Sequence, residues 1–95
     1  MFQIDFEENS SILYLSGQFD HAKVRETKEV FDKINDTTTI DLNGLEFICC
    51  GVIGMLVITF SILKQIGKYI HLINLNDHII NVFKFSNIYK LFSIK

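Results

Sequence analysis

Proline is absent from the 95 residues, and the chain has only two cysteines and five glycines. Disordered chains are rich in proline and charge and poor in apolar residues. Here apolar residues make up 48% of the sequence and aromatic residues 13%. The composition therefore excludes a disordered or low-complexity chain and predicts one densely packed globular domain over residues 1–95.

A cluster of charges of one sign is also missing. The nine lysine and arginine residues and the eleven acidic residues are scattered, and the net charge is −2. A surface that binds nucleic acid needs a basic face to neutralise phosphates. We therefore expect no nucleic-acid partner.

The N-terminus shows no export signal, since M-F-Q-I-D-F-E-E carries acids where a signal peptide needs a basic start. This predicts a cytoplasmic location with reduced cysteines. The longest uncharged run, Phe47–Leu63, has 17 residues, the lower limit for a membrane-spanning helix. It begins as the end of a strand and contains Gly51, Gly54, Thr59 and Ser61, so we interpret it as a buried helix without membrane insertion.

Catalytic and metal-binding motifs are missing as well. No G-x-x-x-x-G-K-[S/T], G-x-G-x-x-G or G-x-S-x-G sequence occurs. His21, His71 and His78 fall in different predicted elements, without the spacing of metal ligands. No acid and base are paired. We therefore predict a domain that is not an enzyme and has no cofactor or metal site.

What the sequence does contain is an alternation of strand and helix patterns. Apolar residues at every second position predict strands over residues 2–6 and 12–15, the second ended by Gly17, so the chain opens with a hairpin. Asp20 is placed to cap a helix over residues 21–34, whose apolar residues recur at three- and four-residue spacing.

The second predicted helix begins at Cys50 or Gly51 and runs to Ile66, with Gly67 as its C-cap. It is apolar almost all round and is therefore predicted to be more buried than the first. Two further strands are predicted over residues 38–42 and 69–73. A third helix is predicted to start at a cap of Asn76 or Asp77 and to have an apolar face of Ile79, Ile80, Phe83 and Phe85. The chain is predicted to close with a turn or short helix and a last strand over 92–94. This order predicts an α/β fold with a mixed sheet, in which parallel strands follow the opening hairpin and the helices pack mainly on one face.

The junction F-I-C-C-G-V-I-G-M-L, residues 47–56, leaves two interpretations of Cys49 and Cys50 open. Both can be small apolar side chains in a packed turn. Alternatively, the N-terminus of the second helix favours a thiolate and creates a reactive thiol. A disulfide between adjacent cysteines would be strained, and a redox enzyme or sensor would lack a resolving cysteine.

Four segments in this order resemble the STAS domain, a name that abbreviates sulfate transporter and anti-sigma factor antagonist. The first is L-S-G-Q-F-D, in which residues 17–20 match the family pattern G-x-[I/L/F]-D, and the second is I-D-L-N-G-L-E-F-I, residues 40–48, which matches L-D-L-S-x-[V/L]-x-F-I. The third segment is G-M-L, and the fourth is G-K-Y-I-H-L-I-N, residues 67–74. The resemblance extends from about residue 2 to residue 94.

The resemblance implies a single STAS-like domain that acts as a non-catalytic interaction module in a bacterial partner-switching pathway, in signal transduction and transcription regulation. In anti-sigma factor antagonists of this family, a D-[S/T]-[S/A]-G-[L/V]-G segment at the start of the second helix carries a serine. An anti-sigma factor with serine kinase activity phosphorylates it, and a phosphatase restores it. The implied partners are therefore an anti-sigma factor/serine kinase or a related phosphatase.

This sequence departs from the family at that segment. A gapless alignment pairs D-S-S-G-L-G with C-C-G-V-I-G and places Cys50 at the phosphoacceptor position; shifting by one residue would make Cys49 the acceptor but needs a deletion. The nearest hydroxyls in the second helix, on Thr59 and Ser61, lie more than a turn inside it. We therefore predict partner binding without serine control. The predicted partner-binding residues are Asp20, Cys49, Cys50, Gly51 and Val52.

A second interpretation comes from another class of STAS domains. Some small members resemble accessory subunits of lipid-trafficking ABC transporters, which need no phosphoserine. The apolar second helix and the aromatic segment over residues 82–92 would suit a permanent contact with a transporter ATPase.

Overall fold

The computed structural model describes residues 2–7, 11–85 and 93–94, and side chains within residues 2–7 and 11–84. The strands are β1 (Phe2–Glu7), β2 (Ile12–Phe19), β3 (Thr38–Ile48), β4 (Ile70–Ile73) and β5 (Ser93–Ile94). The helices are α1 (Val24–Phe31), preceded by a 3-10 turn at His21–Lys23, α2 (Cys50–Gln65) and α3 (Asp77–Phe85). The sheet has the order β1-β2-β3-β4-β5, with β1 antiparallel to β2 and all other pairs parallel. This confirms the predicted mixed α/β fold.

The helices cover one face of the sheet. Leu13 and Leu15 of β2 share a buried cluster with Phe31 of α1, Leu56 of α2 and Phe83 of α3. The intervening residues of β2 are half-buried or exposed on the opposite side, which we call the open face. A domain this small buries a modest share of its surface, so this single apolar layer supplies most of the driving force for folding.

β2 is longer than its sequence pattern indicates. The predicted end at Gly17 was wrong, because the strand continues to Phe19. Gly17 has φ +88°, a left-handed conformation that glycine adopts without strain. It lies at the second of two register shifts against β3, so this glycine bends the strand instead of ending it.

β3 extends six residues beyond its predicted end at Leu42. Strict alternation from Leu42 would direct Glu46 toward the core, but two register shifts each add one residue to β3 relative to β2. Leu42, Leu45 and Ile48 therefore all face the core at three-residue spacing, while Glu46 is exposed. With these bulges, β3 extends to Ile48, the residue before the cysteine pair.

The first helix is shorter than the predicted range of residues 21–34. Residues 21–23 form a 3-10 turn, and the α-helix ends at Phe31. Beyond that point, the N–H groups of Lys33 and Ile34 bond to carbonyls three residues back, at 3.1 and 3.0 Å. These tighter turns end the helix but keep Ile34 buried in the core. The predicted burial of the apolar face of the first helix is therefore confirmed as far as Ile34.

The end of α2 and the start of α3 both follow the predicted capping signals. Gly67 has φ +77°, and the N–H groups of Gly67 and Lys68 bond to the carbonyls of Lys64 and Leu63, a Schellman motif. Asn76 caps α3, since its Oδ1 accepts from the N–H of Ile79 at 2.9 Å. Its Nδ2 also donates to the carbonyl of Leu45 at 2.9 Å, so one side chain ties α3 to β3.

The remaining sequence predictions concern the chain ends. β5 at Ser93–Ile94 confirms a last strand, whereas the predicted turn at residues 8–10 and the closing turn or helix before residue 92 lie outside the described residues. Within the part of the chain described here, no helix is long and apolar enough to cross a bilayer.

Candidate functional site

The sequence-predicted site lies where β2 and β3 end together. Phe19 and Ile48 are paired across the two parallel strands, so the residues that follow them emerge at the same edge of the sheet. The backbone N–H of Cys49 donates to the carbonyl of Phe19 at 2.9 Å and extends this pairing into the turn. Asp20 and the cysteine pair are thereby brought to one end of the molecule.

Asp20 organises the turn that precedes α1. Its Oδ1 accepts from the N–H of Ala22 at 3.1 Å, and its carbonyl accepts from the N–H of Lys23 at 3.0 Å. This confirms its predicted capping role, although the capped element is the 3-10 turn. Asp20 is half-buried, so part of the residue remains accessible to solvent.

The two cysteines face different environments. Cys49 has extended backbone angles at the N-cap of α2, its side chain makes no capping bond, and only 3% of it is exposed. Cys50 is the first residue of α2 and is exposed. Both thiols are free. The interpretation as a small core residue therefore fits Cys49, and only Cys50 presents a thiol to solvent.

Gly51 marks the point where α1 and α2 meet. A Cβ built on Gly51 would lie 3.3 Å from Cγ2 of Val24 and 3.8 Å from Sγ of Cys49, so a larger residue would press on the start of α1. Val52 is fully buried. Of the five predicted partner-binding residues, three can therefore reach a partner with exposed atoms. They are Cys50, Asp20 and Gly51, and their binding role stays a prediction.

Phe47 is an exposed apolar residue next to this site that the sequence patterns did not single out. Its side chain is 45% exposed, and it lies in β3 between the exposed Glu46 and the core residue Ile48. The unusual F-I-C-C run was the sequence feature that pointed to this region. The bulges that expose Phe47 could not be predicted from that run.

The hydroxyls nearest to the site within α2 do not reach its start. Ser61 donates to the carbonyl of Val57 at 2.9 Å, a bond inside the helix. Thr59 is half-buried in the groove between α1 and α2. Neither hydroxyl therefore lies at the exposed start of α2.

The described residues hold no group of three or more His, Cys, Asp or Glu side chains that could bind a metal. The three histidines lie apart, on the turn before α1, on β4 and on α3. The start of α2 also has no acidic residue in its first turn. Its exposed first residue, Cys50, is uncharged.

Solved structures of anti-sigma factor antagonists share this fold. The unphosphorylated form of the antagonist SpoIIAA matches with TM-score 0.75 and 16% identity, over 100% of this chain and 88% of that chain. The phosphorylated form of SpoIIAA, the Bacillus cell fate determinant, matches with TM-score 0.70 and 16% identity, over 100% and 91% of the two chains. A candidate antagonist from Thermotoga maritima matches with TM-score 0.78 and 17% identity, over 98% and 84%.

No curated protein matches the chain in sequence. The solved structures share too few identical residues to show more than the fold. The sequence profile of the STAS domain, however, matches residues 1–95. Two of the segments that resemble this family lie in the bulged strand β3 and in α2. The chain belongs to the STAS domain family.

Proposed function

We propose that the protein is a non-catalytic interaction module of a bacterial partner-switching pathway. It binds an anti-sigma factor with serine kinase activity, or a related phosphatase, through the surface formed by Asp20 and residues 49–52, called the α2 tip from here on. The observation that supports this best is the exposure of Cys50 at the start of α2, in a fold shared with antagonists; the gapless sequence alignment pairs this residue with the family's phosphoacceptor. The domain acts in the cytoplasm, where such a kinase and its nucleotide are found.

The chemistry of the α2 tip explains how control would differ from that of a serine-bearing relative. Phosphorylation adds a charge of roughly −1.5 to −2 at a helix start that belongs to the contact surface. Such a charge repels or displaces a partner bound there. A serine kinase cannot place a phosphate on the Cys50 thiol in the same way. The domain therefore stays competent to bind its partner at all times.

A Cys50→Ser substitution is expected to restore the missing switch. The hydroxyl would occupy an exposed position at the first residue of α2, where serine is well tolerated. In the presence of the bound kinase and ATP, the variant should gain one phosphate on residue 50, as read by intact-protein and peptide mass spectrometry. The wild-type chain and Cys50→Ala serve as controls and should remain unmodified.

This experiment can fail in two informative ways. Phosphate within residues 49–61 of the wild-type chain would contradict the loss of serine control. A kinase that binds the domain tightly but leaves the Cys50→Ser variant unmodified would show that the α2 tip does not lie in its active site.

One observation favours a second candidate function, an accessory subunit of a lipid-trafficking ABC transporter. Ile58 and Ile62 of α2 and Ile66 at its C-cap follow one another at four-residue spacing and are 61%, 58% and 59% exposed. Beside them, a groove of about 250 Å³ runs between α1 and α2, with Met55 at its apolar wall. An exposed isoleucine stripe of this kind suits a permanent contact with an ATPase subunit.

Replacing Ile58 and Ile62 together by lysine separates the two candidates. If the domain is a transporter subunit, the double variant should lose stable co-purification with the ATPase, since two charges would enter an apolar contact. If the α2 tip binds an exchangeable kinase, the same variant should retain kinase binding within about threefold. Gln65→Lys, which adds a charge to the same helix without removing apolar surface, is the matched control.

A further inference from the structure

β1 lies at one edge of the sheet. Among the described residues it pairs with β2 alone, and its six-residue register with β2 is uninterrupted, so it contains no bulge. Its sequence, F-Q-I-D-F-E, also lacks proline and lysine. Natural proteins use these devices to prevent edge strands from pairing with other chains. In the part of the chain that the structure describes, the outer edge of β1 is therefore open to the addition of a further strand.

The sequence of β1 is nearly symmetric about Ile4. Phe2 and Phe6 lie two residues to either side of it, and these three side chains face the helix side and are half-buried. Gln3 and Asp5 flank Ile4 on the open face and are exposed. When such a strand pairs in antiparallel fashion with a copy of itself, each side chain meets a complementary one.

We propose that two copies of the chain associate through β1 about a two-fold axis at Ile4. In this register Phe2 lies opposite Phe6 of the second copy, Ile4 opposite Ile4, and Gln3 opposite Asp5. Five strands from each copy then form one continuous sheet of ten. The interface is isologous, as the two-fold symmetry of most soluble dimers requires.

The polar pair on the open face selects this register. Within one chain, Nε2 of Gln3 already donates to Oδ2 of Asp5 at 2.9 Å, so the amide and the carboxylate form a hydrogen bond readily. Centring the pairing on Asp5 would instead place two carboxylates opposite each other, which is destabilising. Centring it on Gln3 would leave Phe6 without a facing residue. Only the register at Ile4 satisfies both the polar and the aromatic side chains.

The aromatic pair on the helix side supports the same arrangement. The ring of Phe2 lies 4.6 Å from that of Phe19, and Nζ of Lys23 lies 5.3 Å from its centroid. The ring is therefore held in place, yet it is only half-buried in the single chain. Phe6 of the second copy would cover its remaining exposed edge, at both ends of the symmetric interface.

Sedimentation equilibrium of the full chain and of single variants tests the proposal. Gln3→Glu places two carboxylates opposite each other twice per dimer and should weaken dimerisation about tenfold. Gln3→Lys places an ammonium group opposite Asp5 and should strengthen dimerisation. Gln18→Glu makes the same charge change on the open face of β2, away from the edge, and should have no effect.

Disulfide trapping in a Cys50→Ser background tests the register. Chains carrying Gln3→Cys, mixed with chains carrying Asp5→Cys, should cross-link, because the two Cα atoms lie within the range of about 7 Å that a disulfide spans. Gln3→Cys chains alone should not. The proposal is overturned if the wild-type chain and Gln3→Lys remain monomeric at the highest soluble concentration, or if a dimer forms that ignores both substitutions at residue 3.

Discussion

A Cys50→Asp substitution is expected to weaken binding of the anti-sigma kinase roughly 100-fold, about 3 kcal/mol, without loss of folding. Cys50 is exposed at the first residue of α2, and no acidic residue occupies the first turn. A carboxylate there interacts favourably with the positive end of the helix dipole, so stability should remain equal or rise slightly. Once a partner covers the site, however, that carboxylate must lose water without gaining a counter-ion.

The measurement for Cys50→Asp is calorimetric titration with the captured partner, alongside urea unfolding of each variant. Gln65→Glu is the matched control, since it adds the same charge near the other end of α2 and should leave binding unchanged. Gly51 is the less suitable position, because a side chain there would press on Val24 at 3.3 Å and mix packing with binding. Unchanged affinity of Cys50→Asp would place the contact surface elsewhere.

The largest expected effect on stability is that of Gly44→Ala. Gly44 in β3 lies opposite Ser16 in β2, next to a bulge, and a Cβ on Gly44 would lie only 2.6 Å from Cβ of Ser16. Because the Cβ of Ser16 is fixed to the backbone, the two central strands would have to move apart. We expect a loss of about 2–3 kcal/mol of unfolding free energy in urea titrations.

Two further variants show whether this effect comes from the clash. Ser16→Gly should cost about 1 kcal/mol by itself, but in combination with Gly44→Ala it should recover most of the clash energy. Gly54→Ala makes the same change within α2, where the new Cβ meets nothing within 4 Å. It should stabilise the protein by about 0.5–1 kcal/mol. If Gly44→Ala cost less than Ser16→Gly, the close approach of β2 and β3 would be contradicted.

The features that could be predicted from sequence are those set by local chemistry. Asp20, Gly67 and Asn76 end or begin elements through bonds to backbone groups within a few residues, and the structure places all three as expected. The mixed sheet followed from the order of strand and helix patterns. Each of these signals depends on neighbours along the chain, which a sequence shows directly.

The features that could not be predicted depend on pairing between distant residues. The two bulges arise from the register of β3 against β2, and they decide that Leu45 is buried while Glu46 and Phe47 are exposed. Gly44 has no special backbone conformation to mark it, and its role is visible only from the approach of Ser16. Alternation along β3 alone would have given the wrong faces.

The candidate site was located by its position in the family's segment order, but its exposed atoms were not. The sequence alone does not show which of the two adjacent cysteines is buried and which is exposed. The structure distinguishes them, because Cys49 is buried at the N-cap of α2 whereas Cys50, the first residue of the helix, is exposed. Val52 is buried as well. The exposed part of the α2 tip is therefore smaller than the five predicted residues suggested, because Cys49 and Val52 are buried.

The central claim is that the α2 tip binds a kinase-class partner without serine control. The most direct test is quantitative mass spectrometry of what the tagged wild-type chain and Cys50→Asp each capture from the protein's own cells. We predict that an ATP-binding serine kinase or related phosphatase accompanies the wild-type chain, is lost with Cys50→Asp, and leaves residues 49–61 unphosphorylated. Equal recovery with both chains, recovery of a transporter ATPase in its place, or phosphate in that segment would contradict the claim.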